Sequence, residues 1–222
     1  MLRVGQWMPK PLHKSKLFGP ENLTEIGSST GISYRSYKYM KRCETSLPGV
    51  CLIQPDIMKD DRGFFFESYH KRKFEEIGIN DVFVQDNHSK SVRGTLRGLH
   101  YQLNYPQSKL CRVIKGEVLD IVVDIRVGSP TFGQHLAVTL SDENRTEIYV
   151  PSGFAHGFAV MSETAEFLYK CGEFYDPKDE RGIAWDDPEI GIDWGLTSPI
   201  ISAKDQRHRK LSMVPHDELP TY

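Results

Sequence analysis

Four side chains that can move protons or balance a negative charge stand in stretches that are otherwise typical of β-strands and their connecting loops. His100 ends the string Arg-Gly-Leu-His, His156 is the centre of Phe-Ala-His-Gly-Phe, and Tyr169 stands in Phe-Leu-Tyr-Lys. Lys109 follows a Tyr-Pro-Gln-Ser loop. An imidazole titrates near pH 7, a phenol can donate a proton and an ammonium group can stabilise an anion. A single buried histidine is more often a hydrogen-bonded structural residue, but this combination favours a proton-transfer site.

Short strands with a two-residue period must position these side chains. Leu136, Val138 and Leu140 alternate with more polar residues, and the apolar series of 119–125 faces away from Asp120 and Asp124. Turn signals separate the runs at Lys115–Gly116, Gly128–Pro130, Ser141–Asn144 and Pro151–Gly153. Short alternating runs between frequent turns predict an antiparallel sandwich or barrel. One helix is predicted over His70–Ile77, with Phe74 and Ile77 on one face.

Composition excludes several classes of protein. The 28 Lys and Arg against 30 Asp and Glu give a formal net charge of 28 − 30 = −2, which argues against a general nucleic-acid binder. No apolar run approaches the roughly 20 residues of a transmembrane helix, so no membrane segment is expected. Cys43, Cys51, Cys111 and Cys171 form no CxxC pair, which predicts free thiols in a reducing cytoplasm.

The N-terminal part differs from the rest of the chain. Its first 42 residues hold eight Lys or Arg and only two acidic residues, with prolines and a Ser-Ser-Thr-Gly run that interrupt any periodic pattern. We predict a loosely ordered extension over 1–46, a basic arm for a polyanion being the alternative. The folded domain is predicted over 47–205 and a C-terminal tail over 206–222.

Seven strings, in this order along the chain, resemble the dTDP-4-dehydrorhamnose 3,5-epimerase family, a metal-independent branch of the cupins. They are Asp61–Ser68, Val84–Ser89, Leu96–His100, Ser129–Gly133, Gly153–Phe158, Glu166–Lys170 and Ser202–Asp205. The resemblance runs from about Pro48 to Asp205. It implies an all-β cupin jelly roll, a sandwich or barrel with one or two short helices.

The resemblance also implies a substrate, dTDP-4-dehydro-6-deoxy-D-glucose, and a product, dTDP-4-dehydro-L-rhamnose, in rhamnose-type deoxysugar biosynthesis. The protons on C3 and C5 flank the C4 ketone, so removing either one gives an enolate. Reprotonation from the opposite face then inverts the carbon. Because only protons move, no cofactor is expected, and the sequence shows no Gly-rich dinucleotide or Walker pattern.

The family pattern implies a role for each candidate residue. His100 is the general base, and Asp205 hydrogen-bonds its other ring nitrogen. Tyr169 is the acid on the opposite face, and Lys109 stabilises the enolate oxygen. Residues at positions that hold the sugar nucleotide are Arg62, Glu67, Gln85, Asn87, Arg97, Lys109, His156, Tyr175, Glu180 and Lys204. Tyr175 matches an aromatic residue that stacks near the nucleotide base.

Two expectations concern local geometry and assembly. Arg97 and His100 differ by three positions, so a regular strand would point them to opposite faces; a bulge or twist at Gly98 would reconcile them. A homodimer is expected, with no nucleic-acid or membrane partner, and Arg62 and Glu67 would then serve the neighbouring subunit's site.

Three alternative functions stay open. The first is an epimerase that acts at C3 only, since both reactions could use the same base, acid and lysine. The second is a metal-dependent cupin oxygenase or isomerase, which typically takes two histidines from an HxH segment; here that segment reads His100-Tyr101-Gln102, so no metal site is predicted. The third is a non-catalytic sugar-nucleotide-binding cupin, which would be expected to have lost the base or the acid.

Overall fold

The computed structural model describes residues 24–26, 34–37 and 40–222, and β-strands dominate this part of the chain. The strands are β1 Thr24–Ile26, β2 Tyr34–Tyr37, β3 Met40–Glu44, β4 Cys51–Pro55, β5 Met58–Asp60, β6 Gly63–Phe65, β7 Gln85–Val92, β8 Thr95–Gln102, β9 Lys109–Lys115, β10 Glu117–Asp124, β11 His135–Ser141, β12 Glu147–Val150, β13 Phe154–Val160, β14 Thr164–Cys171, β15 Glu180–Gly182 and β16 Ile200–Ile201. The helices in the described part are α1 Lys71–Glu76 and three short 3₁₀ helices, Asp205–Arg207, Leu211–Met213 and His216–Glu218.

Two sheets form the body of the protein. The larger has eight strands in the order β1-β2-β3-β4-β12-β9-β14-β7, and the smaller has the order β11-β10-β13-β8-β15, with β16 pairing parallel to β8. Between them lies a core that includes Val113 and Phe167 from the larger sheet and Val122 and Phe158 from the smaller. The predicted all-β cupin-type architecture is confirmed.

Strand β10 of the smaller sheet is buried on both faces, which the alternating pattern of 119–125 did not reveal. Ile121 and Val122 are neighbours on β10, point to opposite faces and are both fully buried. Val122 faces the core between the sheets, whereas Ile121 packs with Trp194, Leu211 and other residues of the C-terminal segment. Alternation identified the strand, but it could not show that a distant segment covers the apolar series 119–125 while the opposite face packs in the core between the sheets.

The predicted helix is confirmed within one residue at each end, since α1 is capped by His70 and Ile77. Phe74 and Ile77 are both buried. They pack with Ile53 and Leu110, on the opposite side of the larger sheet from the core between the sheets. This outer layer leaves the space between the two sheets free for a site.

The two ends of the domain differ from the boundaries expected from composition. Met40–Glu44 is a strand paired with β4, although it was assigned to the extension. Leu211, Val214 and Leu219, in the predicted tail, are buried against the smaller sheet because their apolar side chains cover it. The expectation of loose order for 1–23, 27–33 and 38–39 lies outside the described residues. Among the described helices, none has the length and apolar character needed to cross a bilayer.

Candidate active site

A cavity of about 610 Å³ lies between the two sheets. Strands β7, β9 and β14 of the larger sheet, strands β8 and β13 of the smaller, and the segment around Asp205 all contribute to its wall. Ten of the predicted site residues line it: Gln85, Asn87, Arg97, His100, Lys109, His156, Tyr169, Tyr175, Glu180 and Asp205. Side chains separated by up to 120 positions in sequence therefore meet at one place.

A bulge between β8 and β13 turns Arg97 and His100 into the same cavity. His156 pairs with His100, but Phe158, only two residues further on, pairs with Arg97, so β8 carries one extra residue. Gly98 has a φ of +131°, and a Cβ on it would lie 2.6 Å from the Cα of Gly157. The expected irregularity at Gly98 is confirmed, and glycine is required there for both conformation and space.

His100 and Asp205 form a hydrogen-bonded dyad. Nε2 of His100 lies 2.9 Å from Oδ1 of Asp205, and the N–H of Gly98 approaches Oδ2 at 3.5 Å. Burial acts to raise the pKa of Asp205, but the hydrogen bonds from His100 and Gly98 outweigh it, so its pKa lies below the usual value. An ionised carboxylate can only accept, so Nε2 carries the proton and Nδ1 keeps the lone pair in the neutral ring. Nδ1 is thus the basic atom.

Tyr169 and Lys109 line the cavity from the opposite sheet. Tyr169 lies on β14, and its pKa is raised to about 12, chiefly by burial and then by the neighbouring Cys171 and Cys111. The phenol therefore keeps its proton at neutral pH. Lys109 begins β9, and its ammonium group makes no hydrogen bond or ion pair with any residue in the described ranges. A base on one sheet thus faces an acid and a cation on the other.

A family model described as dTDP-4-dehydrorhamnose 3,5-epimerase matches residues 44–213. The chain belongs to this family. The match covers most of the folded domain, including every residue of the cavity, and confirms the resemblance seen in the seven strings.

Named relatives are similar along the same region. A Pseudomonas aeruginosa protein named dTDP-4-dehydrorhamnose 3,5-epimerase is 55% identical over 170 residues, 76% of this chain and 94% of that one. The crystal structure of a Legionella pneumophila 3,5-epimerase in complex with dTDP-4-keto-L-rhamnose superposes with a TM-score of 0.81 at 47% identity, covering 83% of this chain and 99% of that one. A Streptomyces niveus protein named dTDP-4-dehydrorhamnose 3-epimerase is 41% identical over 162 residues, 72% of this chain and 78% of that one.

Asp120 is a site residue that the sequence strings did not identify. It is completely buried on β10, and both of its oxygens lie 2.9–3.0 Å from Nε2 of His156. This contact fixes the ring of His156, which lines the cavity beside His100. An acidic residue within an otherwise apolar strand was the available signal, because such a charge needs a buried partner.

A second polar group lies at the mouth of the cavity. The hydroxyl of Tyr175 donates to Oε2 of Glu180 at 2.6 Å, and Lys204 forms an ion pair with the same carboxylate. Glu180 also lies 3.8 Å from Nδ1 of His100. Oε1 of Gln85 accepts from the backbone N–H of Tyr175 and so connects β7 to this group. Lys204 does not itself line the cavity but neutralises a carboxylate that does.

Arg62 and Glu67 are the predicted site residues that lie apart from this cavity. Arg62 is at the turn of the β5–β6 hairpin, 89% exposed at its side chain, and pairs with Asp60. Glu67 follows the hairpin and pairs with Lys73. Neither contributes to the cavity of its own chain. Their expected role therefore requires a second subunit.

Proposed function

We propose that this chain inverts C3 and C5 of dTDP-4-dehydro-6-deoxy-D-glucose and produces dTDP-4-dehydro-L-rhamnose. The observation that carries the proposal is the facing arrangement in one cavity: His100 with Asp205 on one side, Tyr169 with Lys109 on the other. Inversion through an enolate needs a base and an acid on opposite faces of the sugar ring. A cavity enclosed by two sheets supplies both faces.

Proton removal is the task of His100. Its Nδ1 takes the proton from the carbon next to the C4 ketone, and Asp205 stabilises the resulting imidazolium through Nε2. Negative charge develops on the C4 oxygen, and the ammonium group of Lys109 offsets it at short range in a cavity of low dielectric. Lys109 is suited to this because its charge is not neutralised by a carboxylate among the described residues.

Proton return is the task of Tyr169. A phenol with a pKa near 12 is protonated at neutral pH and is acidic enough to protonate an enolate carbon. Because it lies on the sheet opposite His100, the new proton arrives on the other face and inverts the centre. After inversion at C3, His100 holds an extra proton and Tyr169 lacks one. Proton exchange with solvent restores both groups, and the pair can then act at C5 because both carbons flank the ketone. No redox cofactor is needed.

The other cavity residues bind the sugar nucleotide. Arg97 supplies a cation for the diphosphate, with its Nε held by Ser91 Oγ at 3.2 Å. His156, oriented by Asp120, contacts the sugar end beside His100. Tyr175 stacks against the thymine base, the other binding residues of the cavity are Gln85, Asn87 and Glu180, and Lys204 acts through its ion pair with Glu180.

A homodimer completes the site. The β5–β6 hairpin exposes Phe64 and Phe65, at 55% and 63%, next to Arg62. Adjacent strand residues point to opposite faces, so each face of the hairpin carries an exposed phenylalanine that a second copy could bury. A second copy that receives the hairpin would place Arg62 and Glu67 at its cavity. Light scattering should therefore give a dimer at micromolar concentration, and a fully active monomer would contradict this assembly.

The four cysteines support a cytoplasmic location. Cys43, Cys51, Cys111 and Cys171 are all free thiols and all buried. Burial raises the pKa of each of these thiols, most strongly that of Cys111, so they act as small apolar core residues. A fold that keeps its thiols reduced fits a reducing compartment.

The deciding experiment is incubation of the enzyme with dTDP-4-dehydro-6-deoxy-D-glucose in D₂O, followed by NMR. A 3,5-epimerase incorporates deuterium at both C3 and C5 and forms the doubly inverted sugar. Exchange and inversion at C3 alone would instead assign the chain to the 3-epimerases, which the similarity to the Streptomyces niveus protein keeps as the second candidate. No exchange at either carbon would contradict both.

A further inference from the structure

His208 lies directly beside the catalytic dyad although no sequence string singled it out. It follows the 3₁₀ helix Asp205–Arg207, and its ring meets that of His100 edge-on, with centroids 5.6 Å apart and planes at 85°. Its Nδ1 is buried and has no hydrogen-bond partner. The ring has room only because residue 182 is glycine, where a Cβ would lie 2.1 Å from ring atoms of His208. The fold thus makes space for a second imidazole next to the base.

The three side chains together form a set of metal ligands. One donor atom from each of His100, Asp205 and His208 lies within 4.8 Å of the others, and no other such group of three occurs in the described part of the chain. Two imidazoles and a carboxylate, with a fourth position left open, are a common zinc-binding set. Zn–N and Zn–O bonds of about 2.1 Å place ligand atoms roughly 3.4 Å apart in a tetrahedral site. Nε2 of His100 and Oδ1 of Asp205, at 2.9 Å, are already close to that spacing.

We propose that His100, Asp205 and His208 form an inhibitory binding site for a zinc ion or a similar divalent transition-metal ion. The cavity, which His100 and Asp205 line, supplies the open coordination position. The ion is not a cofactor in this proposal, and its effect on turnover rests on the function proposed above.

The inhibition follows from the two nitrogens of His100. In the neutral ring, Nε2 carries the proton and Nδ1 the lone pair that removes the substrate proton. When zinc takes a lone pair on Nε2, the ring proton moves to Nδ1, so one N–H bond breaks, another forms and the ring stays neutral. The basic atom is then blocked, and Asp205 donates an oxygen lone pair to the metal instead of accepting the hydrogen bond from the ring. Bound zinc therefore stops proton abstraction while leaving the fold intact.

Cobalt(II) is the spectroscopic probe for the binding part of the proposal. Four-coordinate Co²⁺ on nitrogen and oxygen ligands gives intense visible d–d bands, whereas hexahydrated Co²⁺ gives weak ones. We expect the intense bands in the wild-type protein and in His216→Gln, a matched control in the same C-terminal segment. His208→Gln should lose them. Weak octahedral bands in the wild type, or unchanged intense bands in His208→Gln, would overturn the site.

The inhibition part uses epimerase assays at free Zn²⁺ concentrations set by a metal buffer, so that the substrate diphosphate does not deplete the ion. Wild type and His216→Gln should lose activity with zinc and regain it with EDTA. His208→Gln should keep its basal activity and need at least about tenfold more zinc for the same inhibition. Equal zinc sensitivity of wild type and His208→Gln would refute the proposal.

A measurement on the wild type alone covers the case in which the variant does not fold. Histidine ¹H–¹⁵N spectra recorded during zinc titration should show the ring signals of His100 and His208 shifting together, and a shift of any other pair would contradict the assignment. Spectra and cobalt bands report on the site even if no epimerase activity is found. Failure of the proposed function and failure of the metal site are therefore distinguishable.

Discussion

Two buried acidic residues, on different sheets, differ in whether they have a hydrogen-bond partner. Asp120, fully buried between the sheets, is hydrogen-bonded to His156. Glu147 on β12 is 1% exposed, and neither of its oxygens has a hydrogen-bond partner. Burial raises the pKa of Glu147 to about 8, against a smaller opposing effect of Arg112 and Lys170.

The two kinds of buried acid differ in their relation to the site, because Asp120 and Asp205 contact histidines of the cavity whereas Glu147 has no hydrogen-bond partner. At the cavity, Asp120 and Asp205 each hold a histidine in place, so their hydrogen-bonding capacity is used. Glu147 lies next to Ile148, which faces the core between the sheets, so strand alternation directs Glu147 to the other side of the sheet. A carboxyl group without a partner there is held neutral by desolvation.

The largest effect is expected for loss of the base. His100→Ala removes the atom that abstracts the substrate protons, so deuterium uptake should fall at both C3 and C5, by about 10²–10⁴-fold. NMR of the substrate in D₂O measures both positions. Unfolding of the variant within a few degrees of the wild type is the control, and near-normal exchange at both carbons would show that another group is the base.

Tyr169→Phe should have a smaller and qualitatively different effect. Deprotonation by His100 survives, so exchange without inversion should continue at C3 at least. The doubly inverted product should fall by about 10²-fold or more, because the proton from the opposite face is lost. The same NMR experiment separates exchange from inversion. Normal formation of the 3,5-inverted sugar by this variant would remove Tyr169 from the mechanism.

Asp120→Asn tests the paired acid. The amide retains the size of the carboxylate but weakens the buried contact with His156, so the free energy of unfolding should fall by about 1–3 kcal/mol. KM should rise more than kcat falls, since His156 binds substrate rather than transferring a proton. Urea unfolding and steady-state kinetics measure the two effects. A variant as stable as the wild type would show that the contact contributes little.

Glu147→Gln tests the unpaired acid. It should increase the free energy of unfolding, whereas Asp120→Asn should decrease it. With a folded pKa of about 8, Glu147 retains a proton that the unfolded chain releases above its ordinary pKa. The native state therefore loses stability as pH rises between these two values, by about 1.4 kcal/mol per unit of pKa shift. Glutamine carries no proton to lose, so the variant should match the wild type near pH 4.5 and exceed it by an amount on the order of a few kcal/mol at pH 8.

Thermal or urea unfolding of Glu147→Gln at both pH values provides the measurement, with activity unchanged. Glu163→Gln, at an exposed position, is the matched control and should leave stability unchanged at either pH. A gain for Glu147→Gln that does not depend on pH would show that the carboxyl group is not neutral in the folded protein.

Local patterns in the sequence determined most of the strands and the helix, and the resemblance to the epimerase family pointed to the cavity residues. Alternation identified the strands that became β10, β11, β12 and β14, because each has an apolar face that is buried, in β10 against the C-terminal segment and in the others on the core between the sheets. The helix was recognisable because Phe74 and Ile77 need the same buried face. The strings around His100, Tyr169 and Asp205 pointed to the site through their resemblance to the epimerase family, since by residue type alone Tyr169 reads as a core residue and Asp205 as part of a solvated charge pair.

Only the tertiary structure decided which of these groups meet and which segments cover them. The bulge at Gly98 depends on the close approach of Gly157 from another strand. Asp120 and His156 are 36 positions apart, and His208 reaches His100 across more than 100. The burial of the apolar series 119–125 on β10 depends on the C-terminal segment that packs over it. Such contacts join residues that are distant in sequence. A local pattern indicates that a residue needs a buried face or a hydrogen-bond partner, but only the tertiary structure determines which residue provides it.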